Sequence, residues 1–119
     1  MDVISFGEAM LRLTPPDFRR IEQAYNFDLE IGGAELNTSV GLACLGRKVS
    51  WVSRLCENPM GHLLANRVRE TGVSIEHVQF SNEGRVGIYF LEQGAAPRPD
   101  AVHYDRVGST MSLTRKGDL

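Results

Sequence analysis

Two groups of residues in this chain have the types and spacing that chemistry requires. The first is Gly32-Gly33 with Asn37 shortly after it. Paired glycines let a backbone take unusual angles and let a ligand approach main-chain amides at the positive end of a helix. Asn37 can both donate and accept hydrogen bonds, which suits sugar hydroxyls. A plain tight turn followed by an exposed Asn fits the same residues, and a bare Gly-Gly is a weak signal. The second group is Tyr89 with Tyr104 and Arg106. Strand period puts Tyr104 and Arg106 on one face and His103 and Asp105 on the other. Two phenols beside a guanidinium suit a carboxylate, because Arg offers both oxygens a fork of donors. An ordinary exposed sheet face carrying Tyr and Arg is the alternative.

Other chemistries find no support. Neither a G-x-x-x-x-G-K-[ST] phosphate loop nor a G-x-G-x-x-G fingerprint occurs. His62 and His77 have no partners at metal-ligand spacing and are expected on the surface. Cys44 and Cys56 form no C-x-x-C pair and cannot build a disulfide framework, so reduced thiols are expected. With 13 Lys+Arg against 15 Asp+Glu, the net charge of −2 gives no general attraction to nucleic acid. No run approaches the roughly 20 apolar residues of a membrane span. The N-terminus has no basic segment ahead of an apolar one, so no signal peptide and a cytoplasmic location are expected. The sequon Asn37-Thr38-Ser39 carries weight only in a secreted context.

The elements that must position these residues follow from the pattern. The composition, 42% hydrophobic and 24% charged over 119 residues, suits one globular domain or a piece of a larger one. Val3 to Phe6 is a short apolar run ended by Gly7, as in a buried strand. Met10 to Leu13 forms a second strand, stopped by Pro15-Pro16, and residues 17–26 are a polar surface excursion. Phe27, Leu29 and Ile31 alternate with Asp28 and Glu30, the pattern of a half-buried strand. Helical spacing from Ala34 to Leu45 ends at Gly46. Val49 to Leu55 is a strand, and Asn58-Pro59 opens a second helix with Gly72 beyond its end. Strand, helix, strand, helix predicts a parallel sheet covered by helices. Residues 87–93 and 101–107 then predict an antiparallel hairpin, and Ser112-Leu113-Thr114 the entry to a further helix.

The run Gly32-Gly33-Ala34-Glu35-Leu36-Asn37-Thr38-Ser39-Val40-Gly41-Leu42-Ala43-Cys44-Leu45-Gly46 resembles the N-terminal signature of the ribokinase-like (PfkB) carbohydrate kinases. Its Gly-Gly-Ala-Glu-x-Asn form is similar to the 2-keto-3-deoxygluconate kinase branch. Agreement continues through Phe6 to Met10, Val49 to Leu55, Asn58 to Gly61, Gly87 to Phe90 and Tyr104-Asp105-Arg106, in the family's order. The resemblance implies an α/β fold with a Rossmann-like core and a small antiparallel β-sheet lid. On that basis residues 2–8 and 33–80 would belong to the core. Residues 10–14, 27–31, 86–93 and 101–107 would belong to the lid.

It also implies phosphorylation of a sugar hydroxyl with ATP and Mg2+. Gly33, Ala34 and Asn37 would contact the sugar, while Tyr89, Tyr104 and Arg106 would hold a sugar acid, which needs a cation where a neutral sugar does not. Two positions depart from the pattern: Arg12 stands where many sugar kinases have an Asp for sugar hydroxyls, and Cys56 where glycine is usual. The family's catalytic Asp and its ATP-binding elements are expected beyond Leu119, so no catalytic residue is assigned here and the chain alone is expected to be inactive. Two alternatives remain. One is a fructokinase-like or other neutral-sugar kinase. The other is a non-catalytic sugar-binding module that pairs with a second copy through the lid sheet, as an exposed hairpin edge favours.

Overall fold

The computed structural model describes residues 1–119. In chain order the elements are β1 (Val3–Phe6), β2 (Met10–Thr14), a 3-10 turn at Ile21–Gln23, β3 (Asp28–Gly32), α1 (Ala34–Cys44), β4 (Val49–Cys56), α2 (Pro59–Glu70), β5 (Val78–Ser81), β6 (Ile88–Glu92) and β7 (Ala101–Asp105). Neither helix is long and apolar enough to cross a membrane.

Strands β1, β4 and β5 form a parallel sheet in that order. Both crossovers step in the same direction, and their right-handedness puts α1 and α2 on one face. Between helices and sheet lies the core, where Leu36, Trp51, Leu64 and Val68 are fully enclosed. The expectation of a fully buried β1 is corrected here. Ile4 and Phe6 are 62% and 58% exposed, because the helices cover only the opposite face of the sheet. On the covered side Ser5 meets Ser39 of α1, with their hydroxyls 2.6 Å apart.

The second sheet has the order β3-β2-β6-β7. Its outer pairs, β2 with β3 and β6 with β7, are antiparallel, but β2 and β6 run parallel. The expected antiparallel lid is therefore a mixed sheet. Parallel neighbours need a long connection, and the chain builds most of the core sheet between β2 and β6. Leu11, Leu29, Ile31 and Ile88 share one face and join the core. Gly32, Met10, Arg12, Glu30, Tyr89 and Tyr104 share the other.

Local chemistry sets the helix ends. The Asn58 side chain accepts hydrogen bonds from the amides of Met60 and Gly61 at 3.1 and 3.0 Å, with Pro59 at the first helical position. Gly46 and Gly72 follow the two helices with φ of 80° and 85°, the left-handed closure that glycine supplies. Ser112 to Thr114 does not start a helix. Ser112 bonds back to Ser109 through both its hydroxyl and its amide, and such local bonds compete with helix formation. Arg54 of β4 ties this turn to the sheet by donating to the Leu113 carbonyl at 3.5 Å, and pairs with Asp118 and Glu83 at 3.2 and 3.6 Å.

Replacing the cap, Asn58→Ala, is expected to lower unfolding stability by about 1–2 kcal/mol. A urea denaturation midpoint equal to that of the parent chain would remove the cap from this account.

Candidate functional site

At Gly7 the chain leaves the core sheet and turns into the lid, so Glu8 lies where the two sheets meet. A cavity of about 280 Å³ opens there, lined by Glu8, Met10, Gly33, Ala34, Glu35, Tyr104 and Arg106. One wall is the first turn of α1, whose free amides and dipole favour negative or polar ligand groups. Gly33 caps that helix. Its backbone is extended, so conformation does not demand glycine, but a Cβ there would lie 2.5 Å from the Glu8 carbonyl oxygen. The opposite wall is the lid, where Tyr104 and Arg106 lie on one face.

Arg106 donates from Nη2 to Glu8 Oε2, and its Nε and Nη1 have no protein partner. Glu8 Oε1 is buried and unpaired. Gly87 makes the room for this pair, since a Cβ on it would stand 2.8 Å from Glu8 Oε1 and 3.4 Å from Arg106 Cβ. Behind the sheet, Arg85 bonds Asp105 Oδ1 at 2.6 Å and the carbonyls of Asp105 and Val107. The strand end that carries Arg106 is thereby clamped from its other face.

Of the residues singled out in the sequence, Gly33, Ala34, Tyr104 and Arg106 meet in this cavity. Tyr89 stands one strand away, its ring 5.7 Å from that of Tyr104. Its hydroxyl lies over Gly32, where any side chain would collide with it. Asn37 is exposed on α1 and does not line the cavity. Glu8, Met10 and Gly87 escaped the sequence reading. The signals for Glu8 were its place directly after the glycine that ends β1 and within the Phe6-to-Met10 stretch, and neither says anything of a partner 98 residues away. Arg12 shares the face of Tyr89, has no carboxylate within ion-pair distance, and keeps its Nε buried without a partner.

Another cavity, of about 290 Å³, lies between β3 and α2. Its cation Arg67 is paired with Glu70 at 3.3 Å, and Glu30 stands on the same lining. No three His, Cys, Asp or Glu side chains cluster as metal ligands.

The family model described as pfkB family carbohydrate kinase matches residues 1–114. A 2-dehydro-3-deoxygalactonokinase of Haloferax volcanii is 37% identical over 118 residues, covering 99% of this chain and 37% of that protein. A 5-dehydro-2-deoxygluconokinase of Clostridium tetani is 30% identical over 118 residues, covering 98% of this chain and 35% of that protein. Among solved structures, 2-dehydro-3-deoxygluconokinase from Thermotoga maritima aligns with all of this chain at a TM-score of 0.96 and 44% identity, over 36% of its own length. The chain spans about a third of the length of these relatives.

Two glycines of α1 test the close approach at the site. Gly33→Ala forces backbone apart and is expected to cost about 1–3 kcal/mol, as overpacking does. Gly41, exposed in the same helix with nothing within 4 Å of a Cβ, should behave oppositely. Gly41→Ala is expected to add about 0.5–1 kcal/mol. Denaturation curves that shift in the same direction for both variants would contradict the crowding at Gly33.

Proposed function

The chain belongs to the pfkB family of carbohydrate kinases, and on that footing we propose that it holds the acceptor of a kinase acting on a sugar acid. The acceptor is 2-keto-3-deoxygluconate or a close relative, and the reaction moves the γ-phosphate of ATP to one of its hydroxyls. The observation that supports this most is Arg106, whose free Nε and Nη1 lie at a cavity bounded by Tyr104 and the start of α1. A carboxylate can take two charge-assisted hydrogen bonds from the second hydrogen of Nη2 together with the free nitrogen beside it, Nε or Nη1. A neutral sugar would leave these donors unused. The names of the relatives, kinases of deoxy sugar acids, support the same substrate class.

Phosphoryl transfer depends on positioning and on charge stabilisation more than on covalent help from protein. In this reading Arg106 fixes one end of the acid. Tyr89 and Tyr104 wall its flank, and the amides at Gly33 and Ala34 meet its hydroxyls. ATP supplies the phosphoryl group and Mg2+ neutralises its charge. No side-chain cluster in these residues fits the metal and no phosphate loop is present. The chain therefore contributes grip and orientation of the acceptor.

Two outcomes are expected. In a protein of the relatives' length carrying this segment, Arg106→Ala should lower kcat/KM for the acid sugar by about 2–4 kcal/mol of transition-state stabilisation. An unchanged kcat/KM in a coupled kinase assay would mean that the carboxylate is held elsewhere. The purified 119-residue chain should release no ADP above a protein-free blank, and turnover by it would refute a role limited to the acceptor.

A further inference from the structure

Met10 is only 6% exposed, yet it stands outside the apolar core that Ala9 and Leu11 on either side of it join. Strand alternation turns it to the other face of the lid, where it lines the cavity with Tyr104 and Arg106. Its enclosure therefore belongs to the cavity wall and not to the frame.

The backbone around it is bare. Gly32 pairs with it across β3, and Gly87 stands beside it, just before β2 and β6 come into register at Leu11 and Ile88. A Cβ built on Gly87 would lie 3.0 Å from Met10 Cγ and 3.4 Å from Arg106 Cβ, so these two side chains converge over one glycine. The bond from Arg106 Nη2 to Glu8 keeps the guanidinium near, because the Glu8 carboxylate lies against that same glycine. Glu8 Oε1 is enclosed there and offers the cavity no acceptor. The Tyr89 hydroxyl lies over Gly32, on the side of Met10 away from Arg106. Between the guanidinium and Met10 the lid thus presents hydrocarbon and a thioether, and no polar side chain.

Sheet order makes this stretch unavoidable for a ligand. The order β3-β2-β6-β7 puts Arg106 after one edge strand and Gly33 after the other. A molecule that touches both must cross Gly87 and Met10. A thioether is a weak acceptor. A hydroxyl laid on it gives up hydrogen bonds to water and recovers little, whereas a methylene gains apolar contact. When Arg106 holds carbon 1 of a 2-keto acid, carbon 3 is two bonds along the path towards Gly33.

We propose that Met10 is a specificity-determining residue, which receives carbon 3 of the acid and selects acids that carry no hydroxyl there. This rests on the reading of Arg106 as the partner of the carboxylate, with the start of α1 facing the hydroxyls. Arg106 then selects for charge and Met10 against one hydroxyl, and Gly87 brings the two side by side.

The test compares 2-keto-3-deoxygluconate with 2-ketogluconate, which differs from it only by a hydroxyl on carbon 3. Each is titrated into the 119-residue chain and followed by amide NMR shifts, for the parent, Met10→Leu and Met10→Gln. The parent should bind the deoxy acid about tenfold to a hundredfold more tightly, the range in which an apolar wall rejects an added hydroxyl. Met10→Leu keeps the wall apolar and should keep the preference. Met10→Gln has the same length but gives the hydroxyl a partner, and should cut the preference by about tenfold. Because each readout is a ratio within one variant, general weakening and the solution forms of the two acids cancel between variants. If Met10→Gln loses its folded spectrum, Met10→Thr, which suits a strand, replaces it with the same expected fall.

Equal binding of the two acids by the parent would overturn the proposal, as would a preference that Met10→Gln leaves unchanged. An equal fall in Met10→Leu would also overturn it, by making shape and not polarity the cause. In each of these cases the acid reading of the site stands. Failure of the parent to bind either acid would instead overturn the acid reading, and the Met10 proposal with it.

Discussion

The site depends on one long-range contact, the ion pair between Glu8 and Arg106. It joins residues 98 positions apart, one at the exit from the core sheet and the other at the end of the last lid strand. Everything around it makes the contact possible. Gly87 withholds a side chain from the space the pair occupies, Arg85 holds the end of β7 from behind, and Gly33 lets the start of α1 close against Glu8. The cavity exists because these three constraints agree with that contact.

The pair should not be credited with much stability. Arg106 is 48% exposed, and a half-exposed ion pair contributes roughly 0–1 kcal/mol after solvent screening and side-chain ordering. Stability resides in the helix-covered face of the core sheet, where Trp51, Leu36, Leu64 and Val68 are enclosed. The two regions do different work. Buried apolar contacts hold the frame, and an energetically minor polar contact decides which way one guanidinium points.

What could be read from the residues was mostly what is local. Asn58-Pro59, Gly46 and Gly72 mark helix ends because caps act within one turn, and the structure places the ends there. The alternation around Leu29 and Ile31 identified a half-buried strand, and period 2 put Tyr104 with Arg106. Separated motifs in a recognisable order carried the family further than any single motif could. Non-local features were harder. A short run of three apolar residues around Ser5 does not say whether both faces of β1 are covered, and only one is. The parallel pairing of β2 with β6 has no turn between them to announce it. Glu8 has no local partner at all, and a Ser-Leu-Thr run looks the same whether Ser112 caps a helix or, as here, bonds back to Ser109 in a turn.

That parallel pairing has a kinetic consequence. Strand β2 can zip against β3 as a local hairpin, but its other edge stays open until β6 arrives, after both helices and β4 have been laid down. Closing so long a loop is slow, since its entropy is lost before any contact rewards it. During synthesis the β2–β3 hairpin therefore waits as an unpaired sheet edge, the kind that invites association with a neighbouring chain. Among these elements the lid sheet is completed only after strands β1, β4 and β5 have been made, and until then its open edge is exposed to misassembly.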